Sequence, residues 1–80
     1  MPTFMDVHAG YADVTPRELA VALDADREHA AAEGVRFGRH WLDRTSGLVF
    51  RLVHGPDREA VLRVHERAGH PATDVYELPQ

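Results

Sequence analysis

The sequence predicts a single small α+β domain with the element order β-α-β-β-α-β, and three observations carry that reading. Thr3 to Ala9 alternates side to side, as a half-buried strand does. Two amphipathic stretches each start at a capping residue and stop at a glycine. Between them lie two strand-like runs joined by turn residues, the signature of a hairpin.

The elements follow in order. In the first strand Phe4, Asp6 and His8 share one side, and Met5 and Val7 the other; Gly10 to Val14 is a loop. Thr15-Pro16-Arg17-Glu18 starts a helix, with Thr15 as cap, Pro16 in the first turn and Glu18 completing a capping box. The stripe Leu19, Ala22, Leu23, Asp26, Ala30 recurs at helical spacing, and Gly34 supplies a left-handed stop. Val35 to Asp43 is the second strand, with Phe37 and Trp41 expected on one face. Asp43 to Gly47 turns the chain into a third strand, Leu48 to His54. Asp57 caps a second helix running to about Ala68, with Val61, Val64, His65 and Ala68 inward and Gly69, His70 and Pro71 at its end. Asp74 to Leu78 is the last strand. This order is the ferredoxin-like split βαβ pattern: a four-stranded antiparallel sheet, two helices on one face, and the first strand beside the third.

Composition narrows the function. Eighty residues leave room for one domain, residues 1–80, with a modest core. Cysteine is absent, which removes disulfides and thiolate metal sites and suits a cytoplasmic protein. Domains this small gain stability from a metal held by His and carboxylate, from a partner subunit, or from both. All nine basic residues are arginines scattered among acids, at a net charge of −4, so no nucleic-acid surface is expected. Neither a signal peptide nor a membrane span is expected. Ser46 is the only serine and lies in the hairpin turn, so serine or cysteine nucleophile chemistry is unsupported.

Assigning strand faces gives a candidate site. Burying Arg51 unpaired would cost several kcal/mol, so the apolar run Leu48, Phe50, Leu52 is expected beneath the helices, together with Met5 and Val7. Phe4, Asp6, His8, Val49, Arg51 and Val53 then occupy the open face. A half-apolar open face predicts a second copy packed sheet to sheet, a dimeric α+β barrel. Asp6 and His8 stand about 7 Å apart, near enough to share a cation or to bond each other. Asp26 interrupts an apolar stripe, and a carboxylate there needs an Arg, a His or a metal. His65 lies on the inward stripe of the second helix, where a bonded core histidine is the ordinary case. His70 follows the helix end, where its charge would suit the helix dipole.

Several segments resemble a family of small bacterial ferredoxin-like proteins, long described as a domain of unknown function and named for a nickel-binding member. They are Phe4-Met5-Asp6-Val7-His8, Glu33-Gly34-Val35, Trp41-Leu42-Asp43, Ser46-Gly47, Ala60-Val61, Val64 to Ala72, and Asp74-Val75-Tyr76-Glu77. The resemblance implies a homodimer and nickel held by His and carboxylate ligands. Carried over by position, the candidates are Asp6, His8, Asp26, His65 and His70. Family members commonly have His where this chain has Leu23 and Cys where it has Arg51. An Arg51 cation near Asp6 would oppose a metal or pair with the carboxylate.

The first reading is therefore a nickel-binding module for sequestration or sensing. The alternative is a cofactor-free dimeric α+β barrel enzyme of the cyclase, isomerase or oxygenase type. In it Arg51 anchors an anionic or enolic substrate, His8 or His65 moves the proton, and Trp41 lines the pocket. A third is an interaction module with no site.

Overall fold

A computed structural model describes residues 1–72 and 74–79. The chain forms β1 (Thr3–His8), α1 (Pro16–Ala30), β2 (Arg36–Asp43), β3 (Leu48–His54), α2 (Arg58–Ala68) and β4 (Asp74–Glu77). A short 3-10 turn, Ala31–Glu33, ends α1, and Gly34 closes it at φ 68°. The four strands form one antiparallel sheet in the order β2-β3-β1-β4, as the crossover argument expects. Among the described residues, no helix is long and apolar enough to cross a membrane.

The helix ends form as their sequences dictate. The Thr15 hydroxyl accepts from the Glu18 amide, and the Glu18 carboxylate accepts from the Thr15 amide. Asp57 caps α2 by accepting from the Ala60 amide, and Gly69 closes the helix at φ 77°.

The strand faces are the reverse of the sequence expectation. Phe4, Asp6 and His8 of β1, with Val49, Arg51 and Val53 of β3, are the buried set beneath the helices. Met5, Val7, Phe50 and Leu52, and the wholly apolar strand run to which they belong, lie on the open side. Arg51 is not unpaired in the interior, so the penalty that argued for placing it outside does not arise. Trp41 is also displaced from its expected side. A one-residue bulge in β2, between Phe37↔Val53 and His40↔Arg51, shifts the alternation. Phe37 therefore packs on the core while Trp41, opposite Phe50, faces out.

The core is divided. Phe4, Ala30, Val35, Val53, Ala60, Val61, Val64 and Val75 form one apolar cluster, and Leu19, Leu23 and Val49 form a smaller one. Between them the strands and helices contribute ionisable residues. On β3 the sequence runs from Val49 through Arg51 to Val53, and on α1 from Leu23 through Asp26 to Ala30.

Replacing Thr15 with Ala removes one half of the capping box. It is expected to lower stability by about 1 kcal/mol. In urea denaturation this should appear as a lower midpoint with an unchanged slope.

Candidate metal centre

Five ionisable side chains from four elements converge between the two apolar clusters: Asp6 and His8 of β1, Asp26 of α1, Arg51 of β3 and His65 of α2. Asp6, Arg51 and His65 have no solvent-accessible surface. His65 is held from both sides, its Nε2 donating to Asp6 Oδ2 at 2.7 Å and its Nδ1 to Asp26 Oδ1 at 3.2 Å. Both partners are carboxylates, which accept only, so both ring nitrogens carry protons and the ring is a cation. Asp26 continues the chain: its other oxygen accepts from Arg51 Nη1 at 3.0 Å. Arg51 Nη2 donates to the Leu23 carbonyl at 3.3 Å, and the guanidinium lies 3.7 Å from the centre of the Phe37 ring. The result is an alternating row, Asp6, His65, Asp26, Arg51, with two charges of each sign.

The electrostatics follow from this row. Burial by itself pushes the Asp6 carboxyl up, but the His65 hydrogen bond and the nearness of the His65 and His8 rings outweigh it and hold the group below its usual value. Burial likewise opposes a charged His65, yet hydrogen bonds to Asp26 and Asp6 lift it to about 9. Arg51 is pulled below its ordinary value by burial, against the charges of Asp26 and Asp6.

His8 is attached differently. Its Nε2 stands 3.5 Å from Asp6 Oδ1, too far for a good hydrogen bond. Both atoms are buried without a hydrogen-bond partner among the described residues, as is Arg51 Nε. The His8 ring packs edge-on against His65 and, at its outer side, against Tyr11. A small cleft lined by His8, Tyr11, Leu23, Asp26 and Val49 reaches this point from outside. Donor atoms of Asp6, His8 and His65 all lie within 4.8 Å of one another.

The sequence candidates thus separate. Asp6, His8 and His65 come together, and Asp26 stands behind His65 as its orienting partner. His70 does not join them; its amide donates to the His65 carbonyl at the end of α2. The site expected for the enzyme reading is not assembled, because Arg51 is buried in the ionic row while Trp41 projects from the opposite face of the sheet. Arg51 pairs with Asp26, not with Asp6. The sequence signal for that pairing lay in Asp26 alone, a carboxylate on an apolar stripe that needs an Arg, a His or a metal. Tyr11, which walls the cleft, carried no comparable signal.

The row makes stability depend on pH. Folding raises His65 from 6.5 to about 9, so its contribution is complete below about pH 6.5 and is lost as pH climbs through about 9. The depressed Asp6 contributes above its unfolded value near 3.8 and loses that contribution as pH falls. Unfolding free energies from urea titration are expected to be highest between about pH 4 and 6.5 and to drop toward pH 9, by at most about 3 kcal/mol. A flat profile over the alkaline half contradicts the assignment.

Comparison with known proteins identifies the family and agrees with the fold. The family model described as "Nickel responsive protein SCO4226-like" matches residues 4–78. The crystal structure of SCO4226 from Streptomyces coelicolor A3(2) is similar to this chain, with 45% identity and a TM-score of 0.91, over 98% of this chain and 96% of that one. No curated protein matches the chain. With the match running from the first strand to beyond the last, this chain belongs to the SCO4226-like family of nickel-responsive proteins.

Proposed function

We propose that the protein binds a divalent cation, nickel by family, in sequestration or sensing, with Asp6, His8 and His65 as the residues that hold it. The supporting observation is the pair Asp6 Oδ1 and His8 Nε2, buried and 3.5 Å apart with no hydrogen-bond partners among the described residues. A cation satisfies both atoms at once, and the spacing suits two donors each about 2.1 Å from one ion. Imidazole and carboxylate are ligands that nickel accepts. His65 adds its Nε2 when the proton it shares with Asp6 leaves. Its Nδ1–H then stays on Asp26, the carboxylate–histidine support usual behind metal-bound imidazoles.

The chain's other requirement is a cover for the open face of the sheet. Met5, Val7, Trp41, Phe50, Leu52 and Tyr76 form it by strand register. Trp41 and Tyr76 are 41% and 54% exposed, an unusual apolar display for so small a protein. We place a second copy of the chain there, a homodimer joined sheet to sheet. The lack of cysteine suits a reducing cytoplasm.

Calorimetric titration of tag-free, chelator-treated protein tests the metal reading. Nickel is expected to bind with a dissociation constant tighter than about 1 mM. Asp6→Asn and His8→Ala should each weaken it by about tenfold or more, and His70→Ala should not. Failure to bind at that level, or binding indifferent to Asp6 and His8, refutes the site. For the partner, Phe50→Asp puts a charge at the centre of the open face and is expected to yield monomers in sedimentation velocity. A wild-type protein that is already monomeric at micromolar concentration refutes the dimer.

A further inference from the structure

The proposed ion would arrive beside a cation that is already in place. Arg51 is fully buried, and its register partner on the neighbouring strand is Asp6. The guanidinium is fixed by Asp26, by the Leu23 carbonyl and by the Phe37 ring, so it cannot swing out to water without breaking all three contacts. Its Nε has no hydrogen-bond partner among the described residues, so the side chain is placed by its charge rather than by complete hydrogen bonding.

Consider the charges inside this envelope when a divalent ion is held by Asp6 and neutral imidazoles. Asp6 and Asp26 cancel the two charges of the ion. Arg51 then remains as one positive charge with no buried counterpart, a strongly disfavoured state away from water. Were the residue at this position neutral, the loaded envelope would be balanced. The resting row, by contrast, is balanced only because Arg51 is there.

We infer that Arg51 is the residue that sets the affinity of this site, holding it low enough for the bound ion to exchange. The inference rests on the metal site proposed above and assigns that site a regulatory residue, one that favours reversible sensing over tight storage. It differs from a role in which Arg51 only clamps Asp26, because a clamp lost would loosen Asp26 and His65 and weaken binding. A resident charge lost should tighten it.

Nickel titration of purified wild-type protein, R51M, R51K and the double variant R51M/D26N, at one pH and ionic strength, separates these roles. R51M is expected to bind nickel about tenfold tighter or more, since a like charge is removed from a poorly solvated site. R51K keeps the charge but gives up the stacking on Phe37, and should stay closer to wild type than R51M does. R51M/D26N restores the wild-type charge balance without the ion pair, and its affinity should return toward the wild-type value. Should R51M be too unstable to titrate, R51Q carries the same charge change and retains donors toward Asp26 and the Leu23 carbonyl. Binding that depends on His8 but is unchanged or weaker in R51M or R51Q overturns the role of Arg51 and leaves the metal site standing. Binding absent from wild type and R51 variants alike, or unaffected by His8→Ala, overturns the site itself.

Discussion

The rest of the molecule is arranged around a row of four ions placed where water does not reach. Asp6, His65, Asp26 and Arg51 come from β1, α2, α1 and β3, so one continuous set of contacts ties both helices to the two central strands. Each ion is tolerable in the interior only because its neighbour is present. Substituting any one strands another. The row therefore specifies how the helices sit on the sheet more than it adds net stability. The apolar residues on either side of it, Val53 and Phe4 toward one end and Val49 and Leu23 toward the other, complete the fold.

This arrangement also explains what was and was not legible in the sequence. Local signals read directly: the Thr15–Glu18 box, the stops at Gly34 and Gly69, and the turn at Asp43 to Gly47 all form as their chemistry requires. Strand order followed from connection rules. The faces did not, because both sides of β3 contain apolar residues and the wholly apolar side, Leu48, Phe50 and Leu52, was the more persuasive core. What decides the question is long-range pairing. Arg51 is inside because Asp26 is inside, and neither strand nor helix periodicity contains that information. Asp6-Val7-His8 and Val64-His65 did supply residues that the fold brings together, while His70, close to His65 in sequence, is carried away by the turn at Gly69.

The proposed metal binding would give this pocket two chemical states. In the first a proton joins Asp6 to His65, and the interior is electrically even. In the second, the one proposed here, a metal ion would stand in for that proton, with His8 recruited from the edge of the row. Both states use Asp26 in the same way, as the acceptor that fixes the imidazole.

The bulge in β2 has a consequence of another kind. Phe37 lies beneath Arg51 and Trp41 lies on the far side of the sheet only because one extra residue has been accommodated between them. Gly38 sits within this irregular stretch, and a β-carbon there would come within 3.4 Å of the Leu52 side chain. The inside-or-outside fate of the aromatic residues is thus governed by chain length rather than by side-chain identity. A lineage could move a large ring from surface to interior by losing or gaining a single codon, with no change to the residues that contact it.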